Sequence, residues 1–582
     1  MTTVFMAPVP AYVAARRESR SRLWWLLVAG WVAHVGLRLW LYRYHTGPVA
    51  NPDETGYLLA ARWLAGGPGA DLTGSTFYHG GYPVLLVPIF WLTSDPVLAY
   101  RLVAVVGSMV AASAYPLAYL LLRRLGLGVR AALIAAFVAG LSPALLLFSG
   151  LALTDAILPV LVLAWLVAVH DLVAYRSVRA GAAAGGLSAF AMAAHLRGTV
   201  VLAVCVLVVM VAAVRWKTVV PAVRRKTGTA AVRRKRVMPA VRRGMVMPAV
   251  AALGSAAVVV AAGKALNGAL AAALYPGGSR DLSGLLMSRL TTFEGQAWAL
   301  SGAAGQLWYL IVGTWGLAGV GLAGAAALLV RRSAPFQHRV LAGALLLATL
   351  GIAYASSAAL PDEHRVGNYV YGRYLACVAV AWTLAGLVVL LKGGRLAVMR
   401  HAAAAAGLMA LTGGAAAWYA GDRLERYGFI AFDFPEVIFL TGDRDSLDLV
   451  AASMTALIML ACLIAAAFLT TRRTRLLVVG VLALIDIAFT AGQAPAPPSG
   501  ADWLPKPPPG RVAVDRRVKW NVWVPLAYRV SWTKLEFYGG RPPEGACTAV
   551  VPYGAVPPTG WAATGRGGAQ MGWTTWSNGR CG

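Results

Sequence analysis

Acidic residues are scarce in this 582-residue chain, which has 23 Asp and Glu against 52 Lys and Arg, and charged residues make up only 13% of it. An ordinary soluble domain carries about 25%. With so little charge the chain cannot clothe a water-facing surface of its size, which argues against a soluble enzyme or a disordered polymer. Cysteine is also rare, 5 in all, too few for a disulfide scaffold. A Walker A loop, a CxxC pair, an HExxH helix and a GxSxG elbow are missing. ATP hydrolysis and a protein-bound zinc cluster therefore have no support in the sequence.

What fills the space is hydrophobic: 59% of residues, with a mean hydropathy of +0.66. A membrane-crossing helix needs about 20 mainly apolar residues. Thirteen runs approach this, at 23–42, 97–122, 131–148, 156–174, 180–195, 198–214, 246–265, 303–330, 339–358, 374–391, 401–420, 449–470 and 475–491. The expected fold class is thus an all-α polytopic membrane protein of about 11–13 transmembrane helices. The net charge of +29 does not point to nucleic acid. Its arginines and lysines cluster at every second loop, around Arg16, Arg123, Arg176, 215–243, Arg331, Lys392 and Arg472, the pattern of cytoplasmic loops. The run Leu23 to Tyr42 lacks a small-residue cleavage site and reads as a retained anchor.

This parity divides the chain. Residues 1–22 form a cytoplasmic segment, and 23–491 a membrane domain with a long outward loop at 43–96 and a basic cytoplasmic loop at 215–245. That basic loop repeats Ala-Val-Arg-Arg and reads as a solvated segment against anionic lipid headgroups. A Pro-rich linker spans 492–510, and 511–582 is expected to be a small extracytoplasmic β-rich domain, with strand-like runs Arg511–Val514, Asn521–Val524 and Thr548–Val551. Cys547 and Cys581 in that tail suit a disulfide in an oxidising exterior, whereas Cys205, Cys377 and Cys462 lie in apolar runs.

With acids so few, those beside the spans stand out. Asp53 and Glu54 follow Pro52 in the first outward loop, where either could simply favour a helix N-terminus. The alternative is a carboxylate held at the outer face as a general base. Asp155 sits at the turn between the third and fourth runs, where an unpaired acid is costly unless it caps a helix or has a function. On the same side lie His195 and Arg197, and Arg373 in Asn368-Tyr-Val-Tyr-Gly-Arg-Tyr. Outward arginines run against the topology rule, and a phosphate matches the guanidinium fork. A plain ion pair of Arg373 with Asp362 or Glu363 is the competing account. His79 and Tyr82, in Phe77-Tyr-His-Gly-Gly-Tyr-Pro, and Tyr371 are candidates to line the same cavity.

The Asp-Glu pair after the first span, a second acid about a hundred residues on, and an outward Arg before a late span together resemble the GT-C glycosyltransferases. These are polyprenyl-phosphate-sugar-dependent enzymes such as protein O-mannosyltransferases, aminoarabinose transferases and mycobacterial arabinofuranosyltransferases. The resemblance is best over 20–200 and extends loosely to Tyr371–Tyr374. It implies that Asp53 is the base, that Asp155 helps to bind or orient acceptor or metal, and that Glu54 supports the loop or joins the catalytic group. It also implies a polyprenyl-phosphate sugar donor, a glycan, protein or lipid acceptor, inversion at the sugar, and Arg373, Arg197 and His195 on the donor phosphate. No tightly bound cofactor is implied, and a divalent cation is left open. The expected location is a bacterial plasma membrane, with the site facing outward. Two other readings stand beside it. A transporter or lipid flippase would place its polar groups near mid-span and show paired halves. A non-catalytic subunit of an envelope complex would bind without turnover.

Overall fold

The computed structural model describes residues 11–50, 52–226, 244–469, 472–494, 511–530, 535–569 and 572–581. Most of the basic loop, 227–243, and of the Pro-rich linker, 495–510, lies outside the described residues. Among the described residues, nine helices are long and apolar enough to cross a membrane: Ser21–Leu41, Pro96–Arg124, Thr154–Tyr175, Arg197–Arg215, Val246–Leu274, Phe336–Ala359, Gly372–Lys392, Arg395–Ala420 and Leu449–Phe468. One further pair, Phe293–Gly313 and Leu317–Val330, is long and apolar enough only when taken together and is bent by 111°, the shape of a broken span or a re-entrant segment. The bend is built from Trp315 and Gly316, whose φ values of 55° and 77° cannot continue a right-handed helix. Shorter apolar helices at Val129–Ala139, Val178–Ala194 and Gly480–Gln493 account for the remaining runs read from the sequence. The run expected over 131–148 is in fact broken at Gly140–Ser142, and the freed Gly140 carbonyl accepts from the buried Arg38 at 2.8 Å.

The first loop is more structured than a single interfacial helix. It holds two helices, Asp53–Leu64 and Gly81–Leu92. The helix from Asp53 is buried along nearly its whole length, from Glu54 to Arg62. Tyr57, Leu58 and Leu59 pack with Tyr82, Leu86 and Tyr100 in a core of their own, separate from the larger one that surrounds Trp165, Trp308 and Trp382 in the bundle.

The tail folds as a mixed five-stranded sheet. Its strands are β1 (Arg511–Asp515), β2 (Leu535–Tyr538), β3 (Ala546–Pro552), β4 (Trp561–Gly568) and β5 (Trp573–Asn578), in the order β2-β1-β3-β5-β4. β1 runs parallel to β2 and to β3, while β5 is antiparallel to β3 and β4. Cys547 and Cys581 form a disulfide, Cα to Cα 5.6 Å. Asn521–Val524, expected as a strand, belongs instead to a helix, Trp520–Arg529. The reason is topological: β1 and β2 are parallel, so the chain must cross over between them, and a helix is the usual crossover. That helix is not isolated from the membrane domain. Its Ala527 and Tyr528 join the core of the first loop. The Tyr528 hydroxyl donates to the Pro96 carbonyl at 2.7 Å, and Arg62 donates to the Ala527 carbonyl at 2.9 Å.

Candidate active site

Five chain breaks meet at one end of the bundle. They are the start of the Asp53–Leu64 helix, the 3₁₀ turn Thr154–Ala156, the turn at His195–Arg197, the 3₁₀ turn Gly372–Leu375 and the turn Ala431–Asp433. Helix ends are where a side chain can face a cavity without disturbing the packing of the span below it. Asp155 lies at the centre. One of its oxygens accepts from Arg197 Nη2 at 2.9 Å and the other from Arg373 Nε at 2.9 Å. Arg373 Nη1 then reaches Asp53 Oδ2 at 3.2 Å. Two guanidiniums and two carboxylates thus alternate, linking positions 53, 155, 197 and 373.

The members differ in access. The Asp155 side chain is 1% exposed and Arg197 5%, whereas Asp53 is 38% exposed. Asp53 Oδ1 also accepts from the Tyr78 hydroxyl at 3.3 Å. Gly56 makes that contact possible, since a Cβ there would collide with the Tyr78 ring lying across the helix. Neither Asp53 nor Asp155 caps its helix. The plain pairing of Arg373 with Asp362 or Glu363 does not occur either: Glu363 binds Arg280 and Arg365 instead.

Around this chain, Arg197 is pinned by the carbonyls of Arg373 and Tyr374, at 3.3 and 3.2 Å, and lies over the Tyr374 ring. Its backbone N–H and its Nε both donate to His195 Nδ1, at 3.1 and 3.3 Å. That fixes His195 as a neutral imidazole with its proton on Nε2. Burial and the Arg197 charge together push its pKa well below the usual value. Tyr371 places its hydroxyl 3.5 Å from Arg373 Nη1. Phe148 and Phe432 flank the Arg373 guanidinium at 5.7 and 5.6 Å. From Arg373 a narrow cleft runs past Asp433, Phe148 and Ala376 to Glu436 and Tyr309.

The expected site residues therefore divide. Asp53, Asp155, Arg197, Arg373, His195 and Tyr371 come together. Glu54 does not join them: it is fully buried and accepts from the N–H groups of Val49, Ala50 and Ala152, each at 2.7 Å, and from the Tyr100 hydroxyl at 2.5 Å. A carboxylate so enclosed has no oxygen left for a substrate, so its place is structural. Tyr82 does not join them either: it is fully buried, with its ring edge-on to that of Tyr57. His79 is close enough to His195 for their charges to interact, and burial lowers its pKa to about 4. Tyr78, Asp433 and Arg365 were not singled out from the sequence. Asp433 is buried 3.5 Å from Arg365, and burial raises its pKa against the pull of Arg373 and Arg365. Its signal in the sequence is an acid set between Phe432 and Phe434, in a segment, 421–448, that holds six other acids. Among the described residues, no three His, Cys, Asp or Glu side chains are grouped to hold a metal ion.

No protein-family model matches the chain, and no curated protein matches it in sequence. Solved structures do match. ArnT from Cupriavidus metallidurans bound to undecaprenyl phosphate is 15% identical, with a TM-score of 0.53 over 96% of this chain and 98% of that one. The same protein in the apo state is 15% identical, with a TM-score of 0.51 over 97% and 98%. At that identity the likeness is one of architecture, and it runs end to end. The chain has the fold of ArnT, a polytopic helical membrane domain followed by a small C-terminal sheet.

Proposed function

We propose that this protein is an integral-membrane glycosyltransferase that moves a sugar from a polyprenyl-phosphate donor to a hydroxyl of a glycan, protein or lipid acceptor. The carrying observation is that Asp53 is the one carboxylate of the cluster open to an incoming group, and it stands beside a guanidinium suited to phosphate. The end-to-end fold shared with ArnT, solved with undecaprenyl phosphate bound, supports the same class of donor. In this reading Asp53 takes the proton of the acceptor hydroxyl as that oxygen attacks the anomeric carbon. The bond from the anomeric carbon to the phosphate oxygen breaks, and the configuration inverts. One base suffices, unlike the two close carboxylates of a retaining hydrolase. The departing lipid phosphate gains negative charge, which Arg373 stabilises electrostatically.

The cluster lies at the helix ends opposite the basic loops. That supports a site on the outer face of a bacterial plasma membrane. Its charges gather at those ends rather than at mid-span, unlike a translocation path. The test is Asp53→Asn at matched expression, assayed for transfer from a lipid-linked sugar. Transfer at the wild-type rate would remove the assignment.

A further inference from the structure

We propose that Asp53 and the donor phosphate compete for the same face of Arg373, so that the arrival of the donor is what frees the base. The inference rests on the reading above and adds to it an order of events.

The geometry makes Arg373 a fixed post with one movable partner. On its inner side, Nε is held by Asp155, whose other oxygen is held by Arg197, and all three side chains are at most 9% exposed. Arg197 is in turn anchored by two backbone carbonyls and His195. The aromatic rings of Phe148 and Phe432 flank the guanidinium. Nothing on this side can yield without leaving a buried charge unpaired, which is strongly unfavourable.

Nη1 is different. Its contact with Asp53 is the longest of the three carboxylate contacts in the chain, 3.2 Å against 2.9 and 2.9 Å, and ends on the most exposed carboxylate. Water reaches the Asp53 end of this pair, so it is screened and weaker than the enclosed contacts of Asp155.

Charge decides the rest. Two carboxylates already balance two guanidiniums, so the four-residue chain offers a phosphate no spare positive charge. An incoming phosphate gains Arg373 by displacing the weakest anion, which is Asp53. The displaced carboxylate is not lost from the site, because the Tyr78 hydroxyl still holds Oδ1 at 3.3 Å. Oδ2, released from Arg373 on the exposed side of Asp53, is then a free acceptor for the proton of the attacking hydroxyl. Before the donor binds, one lone pair of that oxygen is committed to Arg373, which leaves it a poorer acceptor for the proton of the attacking hydroxyl. After transfer, the phosphate monoester keeps Arg373 until the lipid departs, and Asp53 then pairs again. The expected kinetic order is therefore donor first and acceptor second.

The test measures the affinity of the full-length protein, reconstituted in nanodiscs, for undecaprenyl phosphate and for undecaprenol, comparing wild type with Asp53→Asn. Removing the competing charge should tighten undecaprenyl phosphate by roughly fivefold or more. Undecaprenol, which lacks the phosphate, should bind the two forms alike. Equal or weaker binding of undecaprenyl phosphate by Asp53→Asn overturns the competition while leaving the glycosyltransferase reading intact. Equal tightening of both lipids also overturns it, because the effect would then be on the lipid groove. If wild type binds neither lipid, the lipid-phosphate donor fails and the competition fails with it.

Discussion

Asp53 and Glu54 are consecutive in the chain, yet they belong to two regions that treat a carboxylate in opposite ways. Glu54 sits in a closed nest of four donors that ties the first loop to the turn at Ala152 and to Tyr100. Burial raises its pKa and the four donors pull it back. Asp53 has one tyrosine, one shared arginine and an open side. A carboxylate with every lone pair occupied is a rivet, whereas one with an unclaimed direction can still accept a proton. What separates the two is a single residue's turn of the helix Asp53–Leu64, which points one side chain into the core and leaves its neighbour partly exposed.

The sharpest way to break that contrast is to remove each acid in turn. Asp53→Asn should lower transfer by about a thousandfold, within the range for loss of a general base, while the unfolding temperature barely moves. Parallel losses of activity and stability would make Asp53 a structural residue like its neighbour. Glu54→Ala should act the other way. It strands four donors in a buried site and should cost on the order of 3 kcal/mol or more, seen as a lower melting temperature in detergent. A Glu54→Ala protein as stable as wild type would mean that the nest is not a rivet.

Acid should probe both regions through their histidines. His45, beside the Glu54 nest, and His79, near His195, each have a pKa lowered to about 4 by burial. The unfolded chain, with histidines near the ordinary 6.5, binds more protons between those values. Stability from each is therefore complete above pH 6.5 and falls as pH drops through that window, by about 1–2 kcal/mol at pH 5. His45→Gln should flatten part of the melting temperature's dependence on pH, and an unchanged profile would count against a buried neutral ring. The smallest effect expected is at the contact with the C-terminal domain. Tyr528→Phe deletes the hydrogen bond to Pro96 and should cost about 1 kcal/mol of stability, because it props the same core that buries the helix from Asp53. A loss several times larger would show that the sheet domain holds the site more firmly than one hydrogen bond implies.

The spans were legible because hydrophobic length is a local property, and bilayer thickness sets it. The breaks inside them were less so. Gly140 and Trp315 look like ordinary interior residues until the carbonyl of one is claimed by Arg38 and the positive φ of the other turns the helix. Asn521–Val524 has the β-branched and aromatic residues of a strand, and only the parallel pairing of β1 with β2 reveals why it is a helix. In the site, Asp155 and Arg373 were conspicuous because charges are rare beside apolar runs. Tyr78 carried no such contrast, and Asp433, though set between Phe432 and Phe434, was one of seven acids in residues 421–448.

The amino-acid sequence by itself determined that this chain crosses a membrane many times, which helix ends share a side, and which few ionisable groups lie there, since hydropathy and loop charge act residue by residue. Only the tertiary structure decided that Arg373 would bind Asp155 rather than its near neighbours Asp362 and Glu363, that Glu54 would turn inward and Asp53 outward, and that the helix Trp520–Arg529 would pack against the core of the first loop. Those outcomes depend on which surfaces meet once the helices pack. A buried charge takes whichever partner the packing brings within about 3 Å, however far away that partner lies along the chain.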